Sequence, residues 1–96
     1  MTKVTKSYQE SLLAALQDPA EAVEYLNAAL QEGDTALFLC ALRNVAEAKG
    51  ISHLATEAHL NRESLYRMLS EQGNPQLASL TALLNALNLR LAVIVK

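Results

Sequence analysis

Tryptophan is absent from this chain, and phenylalanine and cysteine occur once each. One thiol cannot close an internal disulfide, and small secreted domains usually carry several, so a disulfide scaffold is excluded and a cytoplasmic setting is expected. Cys40 lies inside the run ALFLCAL with no histidine or base beside it in sequence. It therefore reads as a small buried apolar residue, not as a reactive thiol. Only three glycines and two prolines interrupt a chain that is 51% hydrophobic and rich in alanine and leucine, which suits a compact helical bundle. No apolar run approaches the roughly 20 residues of a membrane span. The opening MTKVTKSYQE lacks the apolar centre of a signal peptide, so no membrane partner is expected.

Positive charge is also scarce. Eight Lys and Arg stand against ten Asp and Glu, a net charge of −2, which is unusual if the partner is DNA, whose affinity comes largely from phosphates. The imbalance is local. Residues 1–32 carry Lys3 and Lys6 against five acids, a net of −3, whereas residues 33–96 carry six bases against five acids, a net of +1.

Enzyme chemistry has little to work with. His53 and His59 stand six residues apart, about 240° around a helix, so they share no face. No metal-ligand spacing and no phosphate loop occurs, and catalysis, a metal and a cofactor are all left without candidate residues.

What the chain does contain is a succession of helix signals. Its 96 residues suffice for one domain with a modest core. Ser7-Tyr8-Gln9-Glu10 has capping-box spacing before Leu12, Leu13 and Leu16, predicting a helix from about Ser7 to Gln17. Asp18-Pro19-Ala20-Glu21 combines an N-cap acceptor, a proline at the first helical position and a dipole-favoured glutamate. Val23, Leu26 and Leu30 then form a narrow apolar stripe ending at Gly33, and Glu21, Glu24 and Glu32 make an acidic outer face. That face is either a solvated helix surface or a docking surface for a basic protein. Asp34 caps a third helix that Gly50 closes, and because Ala36 to Leu42 is apolar on every side it is expected to be the buried central post.

The stretch SHLATEAHLNRESLYRML, Ser52 to Leu69, has the outline of a helix-turn-helix. Ser52 opens a short helix, His59-Leu60-Asn61 breaks it, and Asn61 caps a second helix. Leu54, Ala55 and Ala58 give the first an inward stripe, Leu65, Met68 and Leu69 do so for the second, and Leu60 fills the turn. The polar remainder is Arg62, Glu63, Ser64, Tyr66 and Arg67, a face free to enter a DNA groove. Either arginine suits a bidentate contact to guanine or a phosphate clamp. Glu63 can accept from cytosine, although the dipole alone favours a carboxylate there, and Tyr66 suits a phosphate contact or a shield over the helix edge.

After Gly73-Asn74-Pro75, read as a break with a second N-cap and N1 proline, Leu77, Leu80, Leu84 and Leu87 describe a last amphipathic helix ending near Asn88. The final segment changes period. Leu89, Leu91, Ala92, Val93, Ile94 and Val95 read as a short β-strand, and with no second strand in the chain its simplest partner is its own copy in a homodimer; the alternative is an apolar tail packed on the bundle. A two-fold dimer in turn implies a palindromic double-stranded operator, with recognition helices about 34 Å apart. The expectation is thus an all-α, compact five- to six-helix bundle with a C-terminal dimerisation strand. It divides into N-terminal helices (1–33), a DNA-binding core (34–88) and the strand (89–96).

The run KGISHLATEAHLNRESLYRMLSEQGNPQLASLTALLNALNLRLAV, with DPAEAVEYLNAALQEGD before it, resembles the Xre/Cro-type helix-turn-helix proteins, and among them the HigA-type antitoxins called addiction module antidote proteins. NRESLYRMLS, the following GNP and the leucine helix leading into LRLAV carry the likeness. The resemblance implies an antitoxin that neutralises a RelE/HigB-like ribonuclease toxin, with residues 1–33 as a possible toxin-contact region, and that represses its own operon. It implies base reading by Arg62, Glu63, Ser64 and Arg67, and phosphate contacts by Ser52 and Asn61 at helix N-termini. His59 departs from it, standing where the family turn usually has glycine, so a histidine must take up positive φ. A stand-alone repressor without a toxin, and a protein-interaction domain with a vestigial helix-turn-helix, are the competing readings.

Overall fold

The computed structural model describes residues 6–96; residues 1–5, with Lys3 and the start of the 1–33 segment, lie outside it. The described residues form six helices: α1 Lys6–Ala15, α2 Pro19–Gln31, α3 Thr35–Lys49, α4 Ile51–Glu57, α5 Arg62–Met68 and α6 Leu77–Ala86. The all-α bundle expected from the sequence is present.

Local chemistry sets most of the boundaries. The Asp18 carboxylate accepts from the Ala20 amide at 3.0 Å with Pro19 at the first helical position, and the Asp34 carboxylate accepts from Ala36 and Leu37 at 3.0 and 3.3 Å. Both caps satisfy amides that the first helical turn leaves without partners. Gly50, at φ 102°, ends α3 and begins α4 in one residue. α4 and α6 end alike, each in a Schellman motif closed by a residue other than glycine. His59 sits at φ 59°, with the His59 amide donating to Thr56 and the Leu60 amide to Ala55, and Asn88 sits at φ 62°, with the Asn88 amide donating to Asn85 and the Leu89 amide to Leu84.

α3 packs against α1, α2 and α4, and α4 packs in turn against α5 and α6. Leu39, Leu42, Val45 and Ala46 of α3 meet Leu16, Leu54, Leu65, Leu69 and Leu83 in one core, all essentially without solvent contact. Burying each such leucine contributes about 1.5–3 kcal/mol. α1, the turn after it and α2 are tied to α3 partly by polar contacts: the Gln17 side-chain Nε2 donates to the Ala48 carbonyl, Lys49 donates to the Gln17 carbonyl, and Asn44 bridges Gln9 and the Tyr25 hydroxyl.

Several expectations are corrected. α3 is central but not covered on every side; Leu37 and Cys40 are exposed, so an apolar run all round the helix does not make it buried all round. α2 buries Ala22, Leu26 and Ala29, leaving Val23 and Leu30 at 40% and 51% exposure, because small alanines let α2 approach α3 closely. Ser7 lies within α1 and not before it, and Ser52 lies within α4, whose N-cap is Gly50. α6 starts after Gln76, without a side-chain cap, and not at Asn74-Pro75. It buries Leu83, Leu84 and Leu87, while Leu77 is 67% exposed. No strand occurs among the described residues, and 89–96 form an irregular segment with no strand beside it to supply ladder hydrogen bonds. β-branched composition favours a strand only when a neighbour is there to pair with.

Candidate nucleic-acid interface

α4 and α5 are seven residues each, joined across 58–61. They pack through Leu54, Ala55 and Ala58 on one side and Leu65 and Met68 on the other, all buried. The alanines allow two short helices to meet closely. Leu60, half-buried, packs from the turn against the core. His59, at φ 59°, bends the chain out of α4 with the backbone geometry that the family resemblance implied for a turn position usually held by glycine.

Asn61 then starts α5. Its side-chain Oδ1 accepts from the Ser64 amide at 2.7 Å, a capping bond that fixes the direction of the helix. With Leu65, Met68 and the following Leu69 turned inward, Arg62, Glu63 and Arg67 face solvent and Ser64 is half-buried. No ion pair or hydrogen bond of the Arg62 and Arg67 side chains occurs within the described residues. Arg67 and Ser64 also border a cleft of about 440 Å³, walled by Ser70, Asn74, Gln76 and neighbouring residues of the loop before α6. This wall offers hydroxyls and amides and no carboxylate, a lining that can hydrogen-bond an anionic backbone without repelling it. Gly73 allows the loop to fold this tightly: a Cβ there would lie 2.2 Å from the Met68 carbonyl oxygen.

The remaining candidates divide. Ser52 and Asn61 are exposed near the starts of α4 and α5. Tyr66 is half-buried against the core, with the Arg43 guanidinium 5.4 Å from its ring centroid. Arg43 in turn meets Glu47 at 3.1 Å. Tyr66 is thus held in an intrachain stack, and Arg43, from α3, joins the edge of the surface. Sequence reasoning missed Arg43 here. The i,i+4 spacing to Glu47 was visible, but the approach to Tyr66 depends on how α3 and α5 are placed.

The surface is not strongly cationic. His53 meets Glu57 at 3.0 Å and Arg43 is paired with Glu47, leaving Arg62 and Arg67 as the positive groups on α5 able to meet phosphate. Among the described residues no group of three or more His, Cys, Asp or Glu side chains could hold a metal ion, and no helix is long and apolar enough to cross a membrane.

A protein of Haemophilus influenzae, described only as uncharacterized, is 44% identical to this chain over 69 residues, covering 72% of this chain and 71% of its own length. No solved structure matches the chain significantly. Residues 6–95, nearly the whole of the six-helix unit, match the family described as probable addiction module antidote protein, and the chain belongs to that family.

Proposed function

We propose that this chain is the antitoxin of a type II toxin–antitoxin module, that it neutralises a RelE/HigB-like ribonuclease toxin, and that it represses its own operon through α4 and α5. Membership of an antidote family supports a toxin partner of some kind. The observation that carries the DNA reading is the exposed polar face of α5, where a helix capped by Asn61 presents Arg62, Glu63 and Arg67. In this reading α5 enters the major groove as a recognition helix, Arg62 and Arg67 meet guanine or phosphate, and Ser52 and Asn61 sit at the phosphates beside it. Residues 34–88 form the DNA-binding core.

The toxin docks on the N-terminal helices. Glu10, Asp18, Glu21, Glu24 and Glu32 are all exposed and oppose a single base, Lys6, among the described residues of that segment. A surface of this sign complements the basic face of an RNA-cleaving protein. Neutralisation is then stoichiometric binding, and this chain needs no catalytic group of its own.

A second reading has one observation in favour: across 50–76 the two arginines are outnumbered by Glu57, Glu63 and Glu71, which suits a protein-interaction scaffold that no longer binds DNA. A mobility-shift assay on the module's own promoter separates the two. Binding that is lost in Arg62→Ala/Arg67→Ala at unchanged thermal stability supports operator recognition, and no binding by the wild-type chain at low salt removes it.

A further inference from the structure

Arg43 belongs to α3, yet the fold carries its guanidinium to α5, where its Cζ stands 5.4 Å from the centroid of the Tyr66 ring. That distance is within the roughly 6 Å at which an aromatic face holds a cation. A second restraint comes from Glu47, one turn along α3, whose Oε1 accepts from the Arg43 Nε at 3.1 Å. Ring and carboxylate together fix the direction of the planar group, although the Arg43 side chain remains 47% exposed. Glu47 uses only the Nε. The two terminal Nη groups carry four more N–H donors, and no other hydrogen bond of this side chain occurs among the described residues.

The place of this fork beside α5 indicates what it meets. Around the helix axis Tyr66 stands roughly 40° from Arg62, Glu63 and Arg67 roughly 100° and 140°, and Ser64 roughly 200°. Arg62 and Tyr66 therefore mark one flank of α5, Ser64 marks the other, and Glu63 and Arg67 lie between. The Ser64 flank borders the cleft walled by Ser70, Asn74 and Gln76, whereas Arg43 lies on the Tyr66 flank. A helix lying in a major groove about 12 Å wide turns one flank to each phosphate backbone. One strand then meets hydroxyls and amides, and the other meets a guanidinium already held in place. Arginine suits this use because its fork binds phosphate oxygens in pairs, and a side chain ordered before binding loses less freedom on contact. Glu47 lowers the local charge, but it leaves the Nη edge, which is sufficient for a paired contact.

We propose that Arg43 is a third arginine of the interface, a clamp on a backbone phosphate of the strand that faces the Tyr66 flank, supplied from outside the two helices of the helix-turn-helix. The clamp rests on the operator reading of α5. It serves affinity and not sequence choice, since phosphates carry no base identity.

Titrations of the full chain against its promoter and against a scrambled duplex, between about 50 and 200 mM salt, test the assignment. Arg43→Ala makes the plot of log K against log salt shallower by about 0.9 on both duplexes, so the parent's advantage shrinks about 3.5-fold across that range. The preference for the promoter is unchanged. Arg43→Lys, which keeps the charge without the fork, returns the parent slope with weaker binding. Arg90→Ala removes a charge beside α2 and leaves the slope alone. Arg43→Gln keeps a long stem over Tyr66 and gives the alanine result if Arg43→Ala does not fold. A parent-like slope in Arg43→Ala, with a lower melting temperature or poorer discrimination, makes Arg43 a brace between α3 and α5 and overturns the clamp. An equal loss of slope in Arg90→Ala overturns it too, and both results leave the operator reading standing. A wild-type chain that binds neither duplex at low salt removes the operator reading and the clamp together.

Discussion

Replacing Gly73 with alanine tests how the loop after α5 is built. The added Cβ would stand 2.2 Å from the Met68 carbonyl oxygen and 2.9 Å from both the Met68 carbonyl carbon and the Ser70 oxygen. All three are backbone atoms and cannot swing aside as a side chain would. Reaching ordinary van der Waals separation requires the loop to shift by about 1 Å or more. That shift disturbs the Gly73 amide bond to Ser70 at 2.9 Å. Forced displacement in packed structure costs about 1–3 kcal/mol, and backbone neighbours place this site toward the upper end; alanine returns about 0.4–1 kcal/mol by restricting the unfolded chain. The net is about 2 kcal/mol, a Tm lower by roughly 8–16 °C for a domain of this size. Gly33→Ala is the matched control, since nothing lies within 4 Å of its Cβ and only the φ of 72° is strained, at a cost of about 1 kcal/mol. Thermal melts followed by circular dichroism compare the two. A Gly73→Ala melt within about 2 °C of the parent, less than the shift that 1 kcal/mol produces in so small a domain, or a melt above that of Gly33→Ala, would refute the reasoning.

Other consequences are equally concrete. Asn61→Ala removes the cap on the Ser64 amide and lowers stability by about 1 kcal/mol, whereas Asn61→Asp keeps the acceptor and stays near the parent in the same melts. If Arg67 meets a phosphate, Arg67→Ala weakens promoter binding evenly across DNA sequences and makes the plot of log K against log salt shallower by about 0.9 per phosphate no longer neutralised; an unchanged slope with impaired sequence discrimination assigns it to a base instead. Glu21→Gln/Glu24→Gln/Glu32→Gln abolishes toxin capture in a pull-down while leaving promoter shifts unchanged, and undiminished capture would move the toxin site off α2.

Features that depend on a few adjacent residues were legible in the sequence. Asp18, Asp34 and Asn61 cap helices because a short acceptor before an amide-rich turn acts locally, and positive φ at His59 was implied by the resemblance to a family whose turn usually has glycine there. The inward stripe of α5 was legible too, since Leu65, Met68 and Leu69 recur at helical spacing. What was not legible depends on distant parts of the chain. Val23 and Leu30 fit an apolar stripe as well as Ala22 and Ala29 do, and only the close approach of α3 decides that the alanines go inside. Cys40 is exposed because the described residues leave that side of α3 open, at a cleft it shares with Tyr25 and Ala29 of α2. Tyr66 is tied to Arg43 across helices distant in sequence, which withdraws it from a freely presented face. The final residues have strand composition, but a strand exists only with a partner, and none lies among the described residues. The place of Ser52 within α4 follows from Gly50 serving both helices, an economy that residue preferences alone do not reveal.

Whether this chain acts as an antidote is measured most directly by the growth of cells that express the RelE/HigB-like toxin proposed as its partner, with and without this chain supplied from a second promoter. The toxin alone is expected to arrest growth, and co-expression is expected to restore it, with the two proteins co-purifying as one complex. Arrest that persists despite full accumulation of this chain, with no complex recovered, would contradict the antidote role.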